Sequence, residues 1–467
     1  MMTRGLCLPF IAFSAVAVAE AGIVVELEEI DTAPPHFTLA MQPPWVSGGQ
    51  ALYRKFDSST GGPPAGIYRN GTLIAENGEE YDDATLTGMY VIGKTGTSYA
   101  IYGMANHMAG RPNNYYDCIY QMPGGTRIID RNSVFPGYPT PLPHNGIAGG
   151  TMDPSSGNIA FYIRPSNDPV LPSALMYWQD GSATLIAKQG DTIPGRQSTF
   201  NSFNLAALPF ADAGEVIFQA AGTGGVAGIY RWNGSIQAIV DDDTPAPGGG
   251  VLGTPLGGAV RNGSDVAFSG GGGVGQPRIY KMTGGQLSVV ADTFTPVPGG
   301  TGDFASYTSL QIKDGSVVFI GSRTGTPREY GIYTDIGGKV EAIVDVRTDF
   351  GGRVPKTFHM NPGRAWVEDS VFFQVNFEDY SDAVFKATFR SVPDVLESKV
   401  EFSSATSGTI TVATETGETY TLKRSTTLDR ATAEVVSTHP GNGTEMQIPF
   451  GPPSPAPPKM FYWVEQN

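Results

Sequence analysis

Between Leu205 and Gly249 the chain carries four short apolar segments, LAALPF, EVIFQAA, AGIYRW and SIQAIVD, each bounded by Gly-, Asn- or Asp-rich punctuation. Short apolar runs between turn residues are the signature of β-strands. The Asn233–Gly234 pair between the third and fourth segments predicts a two-residue hairpin, because a type I′ turn needs positive φ at both central residues. The unit therefore reads as four antiparallel strands.

This unit repeats. Its third strand returns as GIYRNG at Tyr68, CIYQMPGG at Tyr120, LMYWQDG at Tyr177, GIYRWNG at Tyr230, RIYKMTGG at Tyr280, GIYTDIGG at Tyr333 and AVFKATF at Phe385. The second strand recurs as QALYRKF, SYAIYGM, NIAFYIR, EVIFQAA, DVAFSG, SVVFIGS and SVFFQV. Four strands at a period near 50 fit the blade of a β-propeller, and seven units suit a closed ring. The predicted fold is all-β: a seven-bladed propeller over 22–392, then a small β-sandwich over 393–467.

The seventh unit lacks a fourth strand of its own, since the Pro-containing RSVPDVLES follows it. Ahead of the first unit, GIVVELEEIDTAPP resembles the fourth-strand pattern SIQAIVDDDTPAP. Residues Ile23 to Ile30 are predicted to complete the last blade, which otherwise exposes an unpaired edge. Beyond Pro393 the short segments KVEFSS, GTITVAT, ETYTLKRS, AEVVST, EMQIPF and KMFYWVEQ alternate with turn residues, the pattern of a sandwich.

The recurring Gly-x-x-x-Phe (Gly157 to Phe161, Gly214 to Phe218, Gly315 to Phe319), followed by GIY and by IVD-x-x-T with PGG, resembles the bacterial tandem-repeat proteins called choice-of-anchor NxxGxxxF. The Asn three residues before that Gly is replaced here by Pro154, Ala211 and Ile312. The resemblance implies an exported, repetitive protein and no particular chemistry. More distantly, the order of strands resembles the TolB-type propeller.

At the N-terminus, Arg4, the apolar run Leu6 to Val18 and Ala19-Glu20-Ala21 make residues 1–21 an expected signal peptide, so the mature chain is expected outside the cell or in the periplasm. Its removal takes Cys7, leaving Cys118 with no intrachain disulfide partner and an expected place in a strand core. The net charge of −15 argues against nucleic acid, whose phosphates demand a basic patch. No apolar stretch after the leader is long enough to span a membrane.

Catalytic motifs such as G-x-S-x-G, H-E-x-x-H and C-x-x-C are missing from the sequence. One acidic position does recur, at the end of the fourth strands: Asp130, Asp241, Asp292 and Asp345, with Asp243 beside the second. A hydroxyl residue follows three places on, at Ser133, Thr244, Thr295 and Thr348. Two readings stand. Symmetry gathers these carboxylates at one mouth of the channel, where Ca²⁺ is a candidate ligand; alternatively each Asp only closes a turn with its own hydroxyl. The turn reading is preferred, with no cofactor. Tyr115 and Tyr116, in the longest insertion, are candidate aromatic contacts for a sugar. The expected function is that of a monomeric, non-catalytic propeller binding a glycan, protein or surface ligand through its loop-rich face. The alternatives are a polysaccharide-acting hydrolase or lyase and a structural surface or matrix protein.

Overall fold

The computed structural model describes residues 22–33, 44–55, 65–81, 84–107, 115–142, 146–164, 171–203, 208–253, 256–271, 276–323, 329–392, 398–402, 408–414, 419–425, 433–442, 444–451 and 461–466. The expected signal peptide lies outside them. One compact unit spans Val25–Arg390, and the chain from Ser391 onward belongs to a second.

The larger unit is a seven-bladed propeller whose blades each pair four strands in order from the channel outward. Blade 4 shows the plan. Its first strand is split into Phe200–Phe203 and Phe210–Asp212, and Glu215–Gly222, Ala227–Trp232 and Ile236–Asp241 follow. Blade 7 is assembled from both ends: Gly22–Ala33 hydrogen-bonds beside Asp382–Val392, followed inward by Ser370–Phe377 and Pro355–His359. The predicted closure is therefore present. Arg353 to Glu29 and Lys386 to Glu28 add ion pairs across the join.

The repeated motifs have physical causes. Gly157, Gly214 and Gly315 adopt φ of 79°, 77° and 74° in the turns between first and second strands, a region open to glycine at little cost. Four residues on, Phe218 and Phe319 pack on the third-strand Tyr230 and Tyr333, with centroids 5.5 and 5.8 Å apart. The Gly of GIY leaves room for that ring: a Cβ at Gly228 would lie 2.6 Å from the Tyr230 hydroxyl, and one at Gly331 2.7 Å from that of Tyr333.

Two local features differ from the sequence reading. Trp232 pairs with Ile236, so Asn233–Ser235 is a three-residue loop in which Gly234, but not Asn233, has positive φ. The two-residue turn occurs instead at Asn70–Gly71, with φ of 44° and 82°. Second, the pairing of third and fourth strands is bulged at the Ile–Tyr step: Ile229 faces Val240 while Tyr230 faces Ala238, and the same shift recurs at Ile67/Tyr68, Ile279/Tyr280 and Ile332/Tyr333. A bulge adds local twist, which turns the end of each outer strand toward the next blade.

Apolar side chains fill layers between neighbouring blades. Between blades 5 and 6, Val260, Phe268, Tyr280, Phe304, Leu310 and Phe319 are almost wholly buried in one cluster. Cys118 lies in such a layer, its thiol donating to the Gly103 carbonyl at 3.2 Å. Trp45 is buried, and Trp232 and Trp366 pack on Tyr177 and Phe389 at 5.0 and 5.6 Å. The C-terminal unit holds two three-stranded antiparallel sheets, one of Ser398–Phe402, Gly408–Ala413 and Glu445–Phe450, the other of Glu434–Pro440, Thr419–Ser425 and Phe461–Gln466. Ile410, Val412, Tyr420, Leu422, Ile448 and Val464 from the two sheets share one core.

Candidate functional site

First strands line the channel of a propeller, so its ends are defined by what their two termini meet. At the end bearing the hairpin turns between first and second strands, blade 7 interrupts its inner strand. Residues 360–365, with the sequence MNPGRA, separate Pro355–His359 from Trp366–Val367. This segment reaches three other blades. Gly363 N donates to Leu310 O at 2.8 Å, and Gln311 Nε2 and Oε1 bond Asn361 O and Ala365 N at 2.5 and 3.0 Å, all in blade 6. Val46 N of blade 1 donates to Arg364 O at 3.0 Å.

The Arg364 guanidinium donates to Ala211 O of blade 4, approaches Asp212 at 3.8 Å and lies 3.9 Å from the Phe210 ring centroid. It is also 5.8 Å from the Trp45 ring of blade 1. A group that touches the inner strands of blades 1 and 4 together sits across the ring, so this strap closes the channel at the hairpin end. Burial lowers the Arg364 pKa to about 10 and raises that of Asp212, while the attraction between the two favours their charged forms. Gly363 has φ of 67°, and a Cβ there would lie 2.0 Å from Phe210 Cε2.

The opposite end carries the connections between blades and holds the recurrent acidic residues. Each closes its own turn. The Asp241 amide donates to the Thr244 hydroxyl oxygen at 2.9 Å, the same hydroxyl donates to Asp241 Oδ1 at 2.9 Å, and Thr244 N donates to Asp241 O at 3.1 Å. The pattern returns at Asp130 with Ser133, Asp292 with Thr295 and Asp345 with Thr348, where the amide-to-hydroxyl distances are 3.0, 2.9 and 2.9 Å. In blade 3, Lys188 takes the Asp place and the partner becomes a carboxylate, with Lys188 N donating to Asp191 Oδ2 at 2.9 Å.

Arginines tie these clasps together. Arg196, from the connection into blade 4, pairs with Asp241, Asp242 and Asp243 of the next. Arg347 pairs with Asp345 and donates to Pro298 O of the preceding clasp at 2.7 Å. Burial alone would raise the Asp241 pKa, but the hydrogen bonds from Arg196 and Thr244 outweigh it and hold the carboxyl below its ordinary value. Behind the clasps Ile193, Ala246 and Val297 are buried, which anchors the loops to the blades. Among the described residues no group of three or more His, Cys, Asp and Glu side chains is placed to hold a metal ion. Tyr115 and Tyr116 open the third strand of blade 2 opposite Asn106 and Ala105, and their side chains lie outside the described residues.

One polar row was not anticipated from the sequence. On blade 7, His359 Nε2 and Thr357 Oγ1 each lie 2.7 Å from Asn376 Oδ1, and Asn376 Nδ2 donates to Asp382 Oδ1 at 2.5 Å. Burial raises the Asp382 pKa to about 6 and lowers that of His359. The available signal was the run of polar residues inside QVNFEDYSD.

No curated protein matches the chain. Similar solved structures include a Mycobacterium tuberculosis puromycin-hydrolyzing peptidase (10% identity, TM-score 0.44, 86% of this chain and 62% of that one). The chain thus spans less than two thirds of that enzyme's length. Others are the β-propeller domain of the Trilobed protease from Pyrococcus furiosus (12%, TM-score 0.40, 78% and 98%) and a polysaccharide lyase described as an ulvan lyase (12%, TM-score 0.37, 78% and 97%). Residues 153–354, from the first turn of blade 3 to the start of blade 7, match the model of a family of unknown function (DUF7453).

Proposed function

We propose that this chain is an exported, non-catalytic propeller that binds a glycan, protein or surface ligand on the face carrying the connections between blades. The observation behind this reading is the contrast between the channel ends. The hairpin end is filled by Arg364 and its partners, whereas the other is rimmed by clasped turns. A fixed rim lets loops of differing sequence project from a frame that does not itself move, the arrangement in which binding residues are commonly held. The segments joining second and third strands supply that variety: residues 108–114 of blade 2 read MAGRPNN, and residues 271–277 of blade 5 read GGGVGQP.

Export is supported by the apolar run Leu6 to Val18 and by the resemblance to the choice-of-anchor repeats. The recurrent carboxylates are assigned to the clasps, and the chain to a monomer. The test is a panel of immobilised glycans and extracellular matrix proteins probed with the chain lacking residues 1–21. A second protein, with residues 108–114 and 165–170 replaced by Gly-Ser linkers of equal length, serves as the comparison. Binding lost on replacement with an unchanged melting temperature is expected. Equal binding by both proteins moves the ligand off these loops, and turnover of any bound glycan favours the enzyme reading.

A further inference from the structure

The inner edge of blade 7 departs from blade 6 at matched positions. Aligning Phe373 and Phe385 with Phe319 and Tyr333 of blade 6 sets Gln374, Asn376 and Asp382 against Ile320, Ser322 and Tyr330. Thr357 pairs with Asn376, His359 with Gln374, and Asn376 with Asp382, so all five polar side chains stand on one face of the sheet. Polar groups in a blade interior carry a desolvation penalty unless they are satisfied.

They are satisfied except at one atom. Asn376 and Gln374 both hydrogen-bond the Asp382 carboxylate, which is 4% exposed. Gln374 is 1% exposed, and its Oε1 has no hydrogen-bond partner. In front of it the exposed His359, with Nε2 committed to Asn376, presents its other ring nitrogen, and the half-buried Thr357 hydroxyl sits 3.2 Å from that ring.

Two residues before Asp382, the turn from second to third strand holds Tyr380, 69% exposed with φ of 64°. A bulky residue in the left-handed region is strained, and a large ring in water adds a second cost. The turn is nevertheless fastened: Asp379 Oδ1 accepts from Ser381 N at 2.8 Å and Ser381 Oγ at 2.6 Å, and Phe377 N donates to Ser381 O at 2.9 Å. Lys356 Nζ lies 5.5 Å from the ring centroid.

A hydroxyl both donates and accepts, and so do the groups of this row; a sugar ring also offers an apolar CH face to an aromatic side chain. A metal cation is met less well, because the one carboxylate is buried and engaged by two amides. We propose that Thr357, His359, Asn376 and Tyr380 form a carbohydrate subsite on the inner edge of blade 7, with the buried Gln374 and Asp382 behind Asn376 holding it in place. This rests on the reading of the loop-bearing face as a binding face, and makes the ligand a saccharide.

The experiment uses the chain lacking residues 1–21 on a microarray of neutral and acidic glycans, then titration calorimetry with the best soluble oligosaccharide. His359→Ala and Tyr380→Ala change exposed side chains and are expected to weaken binding about tenfold each, the loss of a good hydrogen bond or a stacked ring. Gln374→Met, which keeps the volume, weakens it about fivefold. Melting temperatures of the two surface variants stay at the parent value. Undiminished affinity in both surface variants overturns the subsite and leaves the loop-face reading standing. If the parent binds protein ligands but no glycan, the subsite alone falls; if it binds neither, both fall. Cleavage of the bound glycan that disappears in His359→Ala supports the subsite and overturns the non-catalytic reading.

Discussion

The two ends of the ring use charge in opposite ways. At the hairpin end a buried arginine of blade 7 reaches Asp212 of blade 4, and Arg261 of blade 5 pairs with Glu215 of blade 4. At the loop end every recurrent aspartate is closed by a hydroxyl three residues on, and an arginine reaches no further than the neighbouring clasp. The difference separates two tasks. Holding opposite blades in register needs contacts that cross the axis, such as those of Arg364. Holding a turn needs only local partners, which can be copied from blade to blade and altered in one without disturbing the others.

The comparison can be broken first at its most crowded point. Gly363→Val puts a branched side chain into a left-handed position against Phe210, and should cost about 3 kcal/mol or more in urea unfolding. Arg364→Ala removes one partner of a buried pair, with an expected loss of about 3 kcal/mol. If either costs no more than a clasp variant, the strap is not what holds the ring together.

Clasp variants sharpen the other side. Thr244→Val, Thr295→Val and Thr348→Val each delete a hydroxyl that bonds its partner's amide, and about 1 kcal/mol apiece is expected. Being in separate blades, the three losses should add within about 0.5 kcal/mol in the triple variant, and strong non-additivity would mean that the clasps act as one ring.

Asp382 gives a pH signature. Its folded pKa of about 6 stands above the ordinary 3.8, so the folded state holds its proton more tightly than the unfolded one. Its contribution is therefore full below about pH 4 and is lost as pH rises through about 6. Asp382→Asn should flatten the stability profile between pH 4 and 7, by about 1 kcal/mol once solvent screening is allowed for. An unchanged profile would place the titration elsewhere. The smallest effect is expected from calcium. A site at 100 times Kd adds about 2.7 kcal/mol, and because the clasp carboxylates already serve their turns, no shift in melting temperature is expected.

What the sequence revealed divides along the same line. The seven repeats, the Asp–Thr clasps and the closing strand were legible because each is a local pattern repeated at a fixed period. The strap was not. Arg364 and Ala211 stand 153 residues apart, and only closure of the ring brings them together. The break in the blade 7 inner strand was nonetheless written as Asn361-Pro362-Gly363, a run of turn residues. The bulge at the Ile–Tyr step was hidden because an extra residue in one strand leaves the apolar pattern of its partner unchanged. The loop at Asn233 was misjudged because Asn-Gly is compatible with both two- and three-residue connections. The polar row of blade 7 escaped because its members come from three strands.

The join in blade 7 also sets an order of events during synthesis. Thr32 donates to the Asp382 carbonyl across 350 residues of chain, so Gly22–Ala33 must wait for the last strand of blade 7 before it finds its neighbour. Through that interval Gly22–Ala33 is a bare strand edge, a template for pairing with other chains. Glu26, Glu28 and Glu29 stand exposed along it. Like charges of this kind repel a second copy of the same strand while leaving Lys386 and Arg353 to receive it once blade 7 is complete. The acidic run thus guards the strand before the ring closes and fastens it afterwards.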